Sequence, residues 1–318
     1  VTRAAFFYPW YPASWYPSSH WTPVLGAPYS SADPAVIAYQ TAAMEYAGIN
    51  VAISSWWGQG DPTDTVFPQL LAASAGMNLK WCLYYEPGPG TAGGGTAGTL
   101  WGTVSAQASI TADLVYIYSA YAASPAYAQV GGKPLLFVYG RSVTSQADVT
   151  TWHAANLAAG TSLGISGGLF TLDLQVIGGF QSVTNPPALW HQYAPANQIQ
   201  ATAGYYYTIS PGYWKYDDPI QAASGGDPYL ARTTAAWASA VKAMVASRCP
   251  WQLITSWNEW GEGHSVENAV QWQSASGYGA YCDILASNGL ITPSPAPLAD
   301  VSDEGYGTVL DEAAGVMS

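Results

Sequence analysis

Positive charge is scarce in this chain. Eight Lys and Arg stand against twenty Asp and Glu among 318 residues, for a formal net charge of −12. Nucleic-acid binding needs a basic surface to release counterions, so that class is excluded; anionic membranes and highly sulfated glycans are disfavoured on the same ground. No apolar run approaches the roughly 20 residues of a membrane span, and no membrane insertion is expected. Cysteine is nearly absent too. Cys82, Cys249 and Cys282 are too few for a disulfide scaffold and contain no C-x-x-C pair. Cys82 sits in an apolar run and reads as a buried thiol, while a Cys249–Cys282 bridge stays open. There is no Asn-x-Ser/Thr sequon, no Walker loop, no Rossmann fingerprint and no H-E-x-x-H pair. Gly164–Gly168 matches G-x-S-x-G, but the apolar run Leu169–Leu172 follows where a nucleophile elbow requires a helix. A metal set of Glu262, His264 and Glu267 lacks a second histidine cluster, so neither metal nor cofactor is expected. Val1-Thr2-Arg3 leads straight into an apolar run with no signal segment. With a Lys-poor composition rich in Ser, Thr, Gln and Ala, the expectation is a bacterial protein that is secreted, cell-surface or periplasmic, its export signal removed.

Aromatic rings are what the chain has in excess: 14% of residues, with 15 Trp and 23 Tyr. That is more than a core requires, so rings are expected to line a cleft, and ring walls suit sugars. The most informative stretch is 256–267, SWNEWGEGHSVE. It places Glu259 and Glu262 three residues apart among tryptophans, just after an apolar run. Aromatic faces grip sugar rings, and two carboxyls can share the acid and base work of breaking a glycosidic bond.

Strand-like runs alternate with helical stretches, the pattern of a parallel α/β fold. The runs are 4–8, 50–54, 80–84, 135–139, 168–172, 188–193, 205–210 and 253–256, and eight is the number that closes a single (β/α)8 TIM barrel. Asp33-Pro34 and Asp227-Pro228 each offer an N-cap acceptor before a proline at the first helical position. Residues 1–291 are expected to form the catalytic barrel with extended strand-to-helix loops. The Pro-rich, acidic tail 292–318 either packs on the barrel or leads to a linker. The glycine-rich segment 88–98 is either a lid or an insertion.

Catalytic groups of a barrel lie at the carboxyl ends of its strands. Reading past each strand gathers Tyr8 and Trp10, Trp56 and Trp57, Tyr85 and Glu86, Tyr139 and Arg141, His191 and Tyr193, Tyr213 and Trp214, and then Asn258, Glu259, Trp260 and Glu262. Adjacent rings point opposite ways along a strand, so one of Trp56 and Trp57 packs and the other is exposed. Glu86 reads as functional, since few cations are available to neutralise a decorative acid. Arg141 either neutralises a carboxylate or binds substrate, and His191 is either a satisfied structural histidine or part of the site.

FFYPWY, SSADPAVIAYQTAAMEYAGINVAISSWWG, WCLYYEP, LLFVYGR and SWNEWGEGHSVE occur in this order across most of the chain. Together they resemble glycoside hydrolase family 99, the endo-α-mannosidases and endo-α-mannanases with their bacterial polysaccharide-hydrolase relatives. The resemblance implies a (β/α)8 barrel that cuts inside an α-linked, mannan-like chain with net retention. It implies that Glu262 is the general acid/base and that Glu259 acts as a base on the sugar's 2-hydroxyl, giving an anhydro-sugar intermediate. It also implies that Tyr8, Trp57 and Glu86 line the subsites, and Arg141, His191 and Tyr193 with them. Gly261 stands where the family's mannosidases commonly carry His, and His264-Ser265-Val266 replaces their Thr-Gln-Ile. Other sugars therefore stay open, in a rhamnan, α-glucan or arabinan, as does a non-catalytic glycan-binding barrel.

Overall fold

The computed structural model describes residues 1–15, 20–90, 104–140, 143–215 and 228–291. Its strands, in chain order, are β1 (Thr2–Phe7), β2 (Val51–Gly58), β3 (Lys80–Gly90), β4 (Gln129–Val130), β5 (Lys133–Val138), β6 (Thr171–Gln175), β7 (Leu189–His191), β8 (Ile199–Thr202), β9 (Tyr206–Ile209) and β10 (Trp251–Ile254). Apart from β4, which pairs antiparallel with β5, they follow the order β7-β6-β5-β3-β2-β1-β10-β9-β8. All neighbours on that path are parallel except β8 and β9. The helices are α1 (Pro34–Tyr46), α2 (Pro62–Ala73), α3 (Val104–Tyr121), α4 (Gln146–Ser162), α5 (Thr234–Ser247) and α6 (Ala280–Ala286).

The sheet curls strongly. Four steps separate β5 from β10 along the sheet, about 19 Å if it were flat. Yet the Phe137 and Trp251 ring centroids on those strands lie 5.6 Å apart. Phe6 of β1 sits in the enclosed interior, 4.9 Å from Tyr84, 6.2 Å from Phe137 and 5.9 Å from His191. Rows of apolar residues buried on both faces are what such a parallel strand requires, because helices cover its outer side. Among the described residues no ladder joins β7 to β9. One bond, from Thr208 Oγ1 to the Gln192 carbonyl at 2.8 Å, crosses between them. The architecture is thus an α/β fold with a curled, parallel-rich sheet.

Local chemistry accounts for most boundaries and corrects two expectations. Asp33 caps α1, its side chain accepting the Ala35 N–H at 2.8 Å, and Pro34 opens the helix. Gly48 ends that turn at φ +71°, a conformation other residues adopt at a cost. The expected cap at Asp227-Pro228 does not start α5: Thr233 caps it by accepting the Ala236 N–H, and Asp227 lies outside the described residues. The fifth parallel strand begins at Thr171, three residues later than its apolar run suggests. The Asn156 side chain bonds both the N–H and the C=O of Phe170, engaging that residue before the sheet begins. The bridge left open between Cys249 and Cys282 is absent; all three cysteines are buried free thiols. Arg141, residues 91–98 of the glycine-rich segment and the tail from 292 onward lie outside the described residues.

Candidate active site

Past β10 the chain turns at once and is fastened to the end of β1. Trp257 N–H donates to the Phe6 carbonyl at 2.7 Å. The Asn258 side chain brackets Tyr8, its Oδ1 accepting the Tyr8 N–H at 2.8 Å and its Nδ2 donating to the Tyr8 carbonyl at 2.9 Å. Tyr11 Oη donates to the Asn258 carbonyl and accepts the Trp260 N–H. These bonds fix the two glutamates in different settings. Glu259 is buried, its N–H donating to Ser256 Oγ at 3.0 Å and its Oε1 accepting the Gly261 N–H at 3.0 Å. The Glu262 side chain is 30% exposed, and its Oε2 lies 2.9 Å from His264 Nε2.

Burial lifts the Glu259 pKa well above the ordinary carboxylate value, the negative charge of Glu262 adds to this, and Glu86 contributes a smaller push. Two backbone N–H groups, of Gly261 and Glu262, pull the other way without prevailing. The Tyr8 phenol is likewise raised, first by burial, then by Tyr193, Glu86, Tyr84 and Glu259. Tyr8 Oη donates to Tyr193 Oη at 2.8 Å. Three carboxyl groups and a pair of phenols therefore share one low-dielectric patch at the carboxyl ends of the strands. Proton exchange is the chemistry such a patch supports.

Rings surround it. Trp10 stacks on Tyr8 with centroids 4.5 Å apart and meets Trp57 edge-on at 5.8 Å. Tyr139 lies 5.7 Å from Tyr84 and 6.4 Å from Tyr193. Tyr213 lies 6.0 Å from His264, and Trp214 N–H donates to the Glu262 carbonyl at 2.9 Å. Two pockets adjoin the patch. One of about 240 Å³ is walled by Trp10, Trp57, Ser14 and Thr63. The other, of about 200 Å³, is walled by Trp21, Tyr213, Trp214, Arg232 and Gly263.

Four expected residues lie elsewhere. Trp56 points into the helix layer and donates from Nε1 to Asp64 Oδ1 at 2.7 Å. Tyr85, next to inward-facing Tyr84, donates to Asp113 Oδ2 on α3. Trp260 is buried, donating to Glu267 Oε2 at 3.1 Å and stacking on Trp272. His191 is sealed in the interior, its Nδ1 2.9 Å from Asp173 Oδ1 with both side chains fully buried.

The sequence matches glycosyl hydrolase family 99 over residues 13–288. The chain belongs to that family. No curated relative matches it. Among solved structures it is similar to the family-99 endo-α-mannosidase of Bacteroides thetaiotaomicron in complex with bis-tris-propane. The identity is 22% and the TM-score 0.65, over 91% of this chain and 95% of that one. A second structure of that mannosidase gives 20% and 0.65 over 90% and 95%. A glycoside hydrolase-like protein gives 14% and 0.67 over 91% and 94%. The family-99 chain is accordingly a glycoside hydrolase acting on a carbohydrate.

The structure also brings in residues that sequence reasoning passes over. His264, considered there as a metal ligand and as a departure from the family's motif, touches both Glu262 and Ser256. Glu267, of the same supposed set, turns away and accepts bonds from Tyr29, Gln40 and Trp260. Gln175 Oε1 accepts the Gly140 N–H at 2.8 Å, supporting the rim beside Tyr139. The one sequence signal for His264 is its place within the 256–267 motif of the family-99 chain, two residues beyond Glu262.

Proposed function

We propose that this chain is a retaining, endo-acting glycosidase that cuts internal α-linkages of a mannan-like polysaccharide. In this reading it works outside the bacterial cytoplasm, on a sheet that closes as a (β/α)8 barrel. Glu259 takes the proton of the substrate's 2-hydroxyl, and O2 attacks C1. The C1–O bond to the leaving sugar breaks, and its oxygen takes the proton of Glu262. The product of this step is a 1,2-anhydro sugar. Glu262, now a carboxylate, takes a proton from water; the hydroxyl adds to C1, the C1–O2 bond breaks, and O2 recovers the proton held by Glu259.

The observation that carries the reading is the convergence of Glu86, Glu259 and Glu262 with the Tyr8–Tyr193 pair, beside two ring-walled pockets. Burial raises the Glu259 pKa toward the working pH, where a carboxyl exchanges protons most effectively. A second reading keeps the chemistry and changes the sugar to that of a rhamnan, α-glucan or arabinan. It is favoured by Gly261, which puts no side chain at the centre of the motif.

Product release from α-mannans, rhamnans, α-glucans and arabinans, with wild type beside Glu262→Gln, tests both. Oligosaccharides from α-mannan with wild type only are the expected result. Products from another polymer alone would move the specificity to the second reading. Silence from both proteins, with binding to one glycan, would overturn the catalytic assignment.

A further inference from the structure

We propose that His264 is a positioning residue that holds Glu262 through its Nε2–H, with Ser256 setting its tautomer. The inference rests on the reading of Glu259 and Glu262 as the reacting carboxyls. Ser256 is fully buried, and its Oγ accepts the Glu259 N–H at 3.0 Å. A buried hydroxyl proton needs an acceptor. Among the described residues the one in reach is His264 Nδ1, 3.0 Å away. With Nδ1 accepting, the neutral ring carries its proton on Nε2, and this N–H donates to Glu262 Oε2 at 2.9 Å.

The consequence is directional. Oε2 is the accepting oxygen, so the proton for the leaving sugar rides on Oε1. A hydrogen bond to a carboxylate is stronger than one to a neutral carboxyl, so the His264 bond tightens just as Glu262 gives its proton up. One chain of bonds, from the Glu259 N–H through Ser256 and His264, thereby couples the two glutamates. The ring is held from several elements. Arg232 Nη2 donates to the carbonyls of Gly263 and Ser265 on either side of it, at 3.0 and 2.8 Å. Tyr193 Oη lies 3.4 Å from Nε2, and the Tyr213 ring 6.0 Å from the imidazole. Among the described residues, Glu262, Tyr193, Tyr213 and Arg232 are the titratable or charged groups in contact with the ring or its backbone.

A long-range ¹⁵N–¹H spectrum of the wild-type protein reads the tautomer directly. The expected result at pH 7 is a neutral His264 ring with Nε2 protonated. It is assigned by the one of four histidine signal sets that disappears in His264→Gln. A ring protonated on Nδ1, or an imidazolium, would overturn the proposal. Kinetics supply the second arm. Gln places an amide N–H near Nε2 and reaches Glu262, whereas Asn reaches only Ser256. Loss of the donor makes the charged carboxyl less favourable. The basic limb of kcat/KM should therefore move up by about one pH unit in His264→Asn, with kcat about tenfold lower and KM held. His264→Gln should keep the wild-type limb. Equal limbs in the two variants would overturn the proposal. If either variant fails to fold, Ser256→Ala decides: without its donor, Nδ1 should share the proton and the ring signals should shift toward a tautomer mixture. Unchanged signals would count against the proposal. Full turnover by Glu262→Gln would sink the catalytic reading yet leave the tautomer result to stand or fall alone.

Discussion

At the scale of the residue, Glu259 and Glu262 are close in sequence and unlike in surroundings. Glu259 is buried under the bonds that fasten the motif to β1, while Glu262 reaches the cleft. Since burial, then Glu262, then Glu86 raise the Glu259 pKa, the acid limb of kcat/KM should lie above the usual carboxylate value of about 4. Glu86→Gln removes one neighbouring negative charge, which eases ionisation of Glu259. That variant should therefore shift the acid limb to lower pH, whatever it does to KM. A pH–rate profile of both proteins checks this, and a limb that moves upward would assign the base elsewhere. The two glutamates were legible in the sequence because acids beside tryptophans at a strand end are a local signal. His264 was not, because its value lies in the atoms on either side of the ring.

At the scale of the element, strand alternation sorts the rings. Trp56 and Trp57 are neighbours on β2, but Trp56 joins the helix layer through Asp64 while Trp57 meets Trp10 at the cleft. Trp56→Phe should cost about 1 kcal/mol of stability through the lost hydrogen bond and leave KM unchanged. Trp57→Ala should raise KM with a smaller loss of stability. Thermal unfolding beside steady-state kinetics separates the two. The same alternation turns Tyr84 inward and Tyr85 outward to Asp113, a sorting that period two predicts in kind but cannot orient without knowing which side the helices cover. Asn258 joins two elements. Asn258→Ala would leave the Tyr8 N–H and C=O without these partners, at about 2–4 kcal/mol, so a clear fall in Tm together with a lower kcat is expected.

At the scale of the whole molecule, Glu267 makes stability depend on pH. It takes bonds from Gln40 on α1 at 2.6 Å, from Tyr29 at 2.8 Å and from Trp260 at 3.1 Å. Burial outweighs these donors and raises its pKa from the ordinary carboxylate value to about 7. The folded protein therefore holds this proton more tightly than the unfolded chain. The resulting stabilisation is complete below about pH 4.5 and is lost as pH rises through about 7, a change on the order of 3 kcal/mol. Urea unfolding at about pH 5 and pH 8 should show it, and Glu267→Gln should remove that part of the slope. An undiminished slope in the variant would place the titration in another group, with buried Glu259 as the first alternative.

The parallel α/β class, the succession of strand-forming runs and the acidic motif followed from the sequence alone. Apolar runs, strand-end acids and capping residues act over a few positions of chain, so they can be read without a partner. What only the tertiary structure decided is which neighbours those residues meet. Trp260 could be a cleft wall or a core ring until Tyr29, Glu267 and Trp272 surround it. Asn258 gains its role from Tyr8, 250 positions away. Burial raises the pKa of Glu259 and Glu267, reinforced by neighbouring charge at Glu259 and opposed by hydrogen-bond donors at Glu267, and both settings depend on a sheet that curls to bring β1 beside β10.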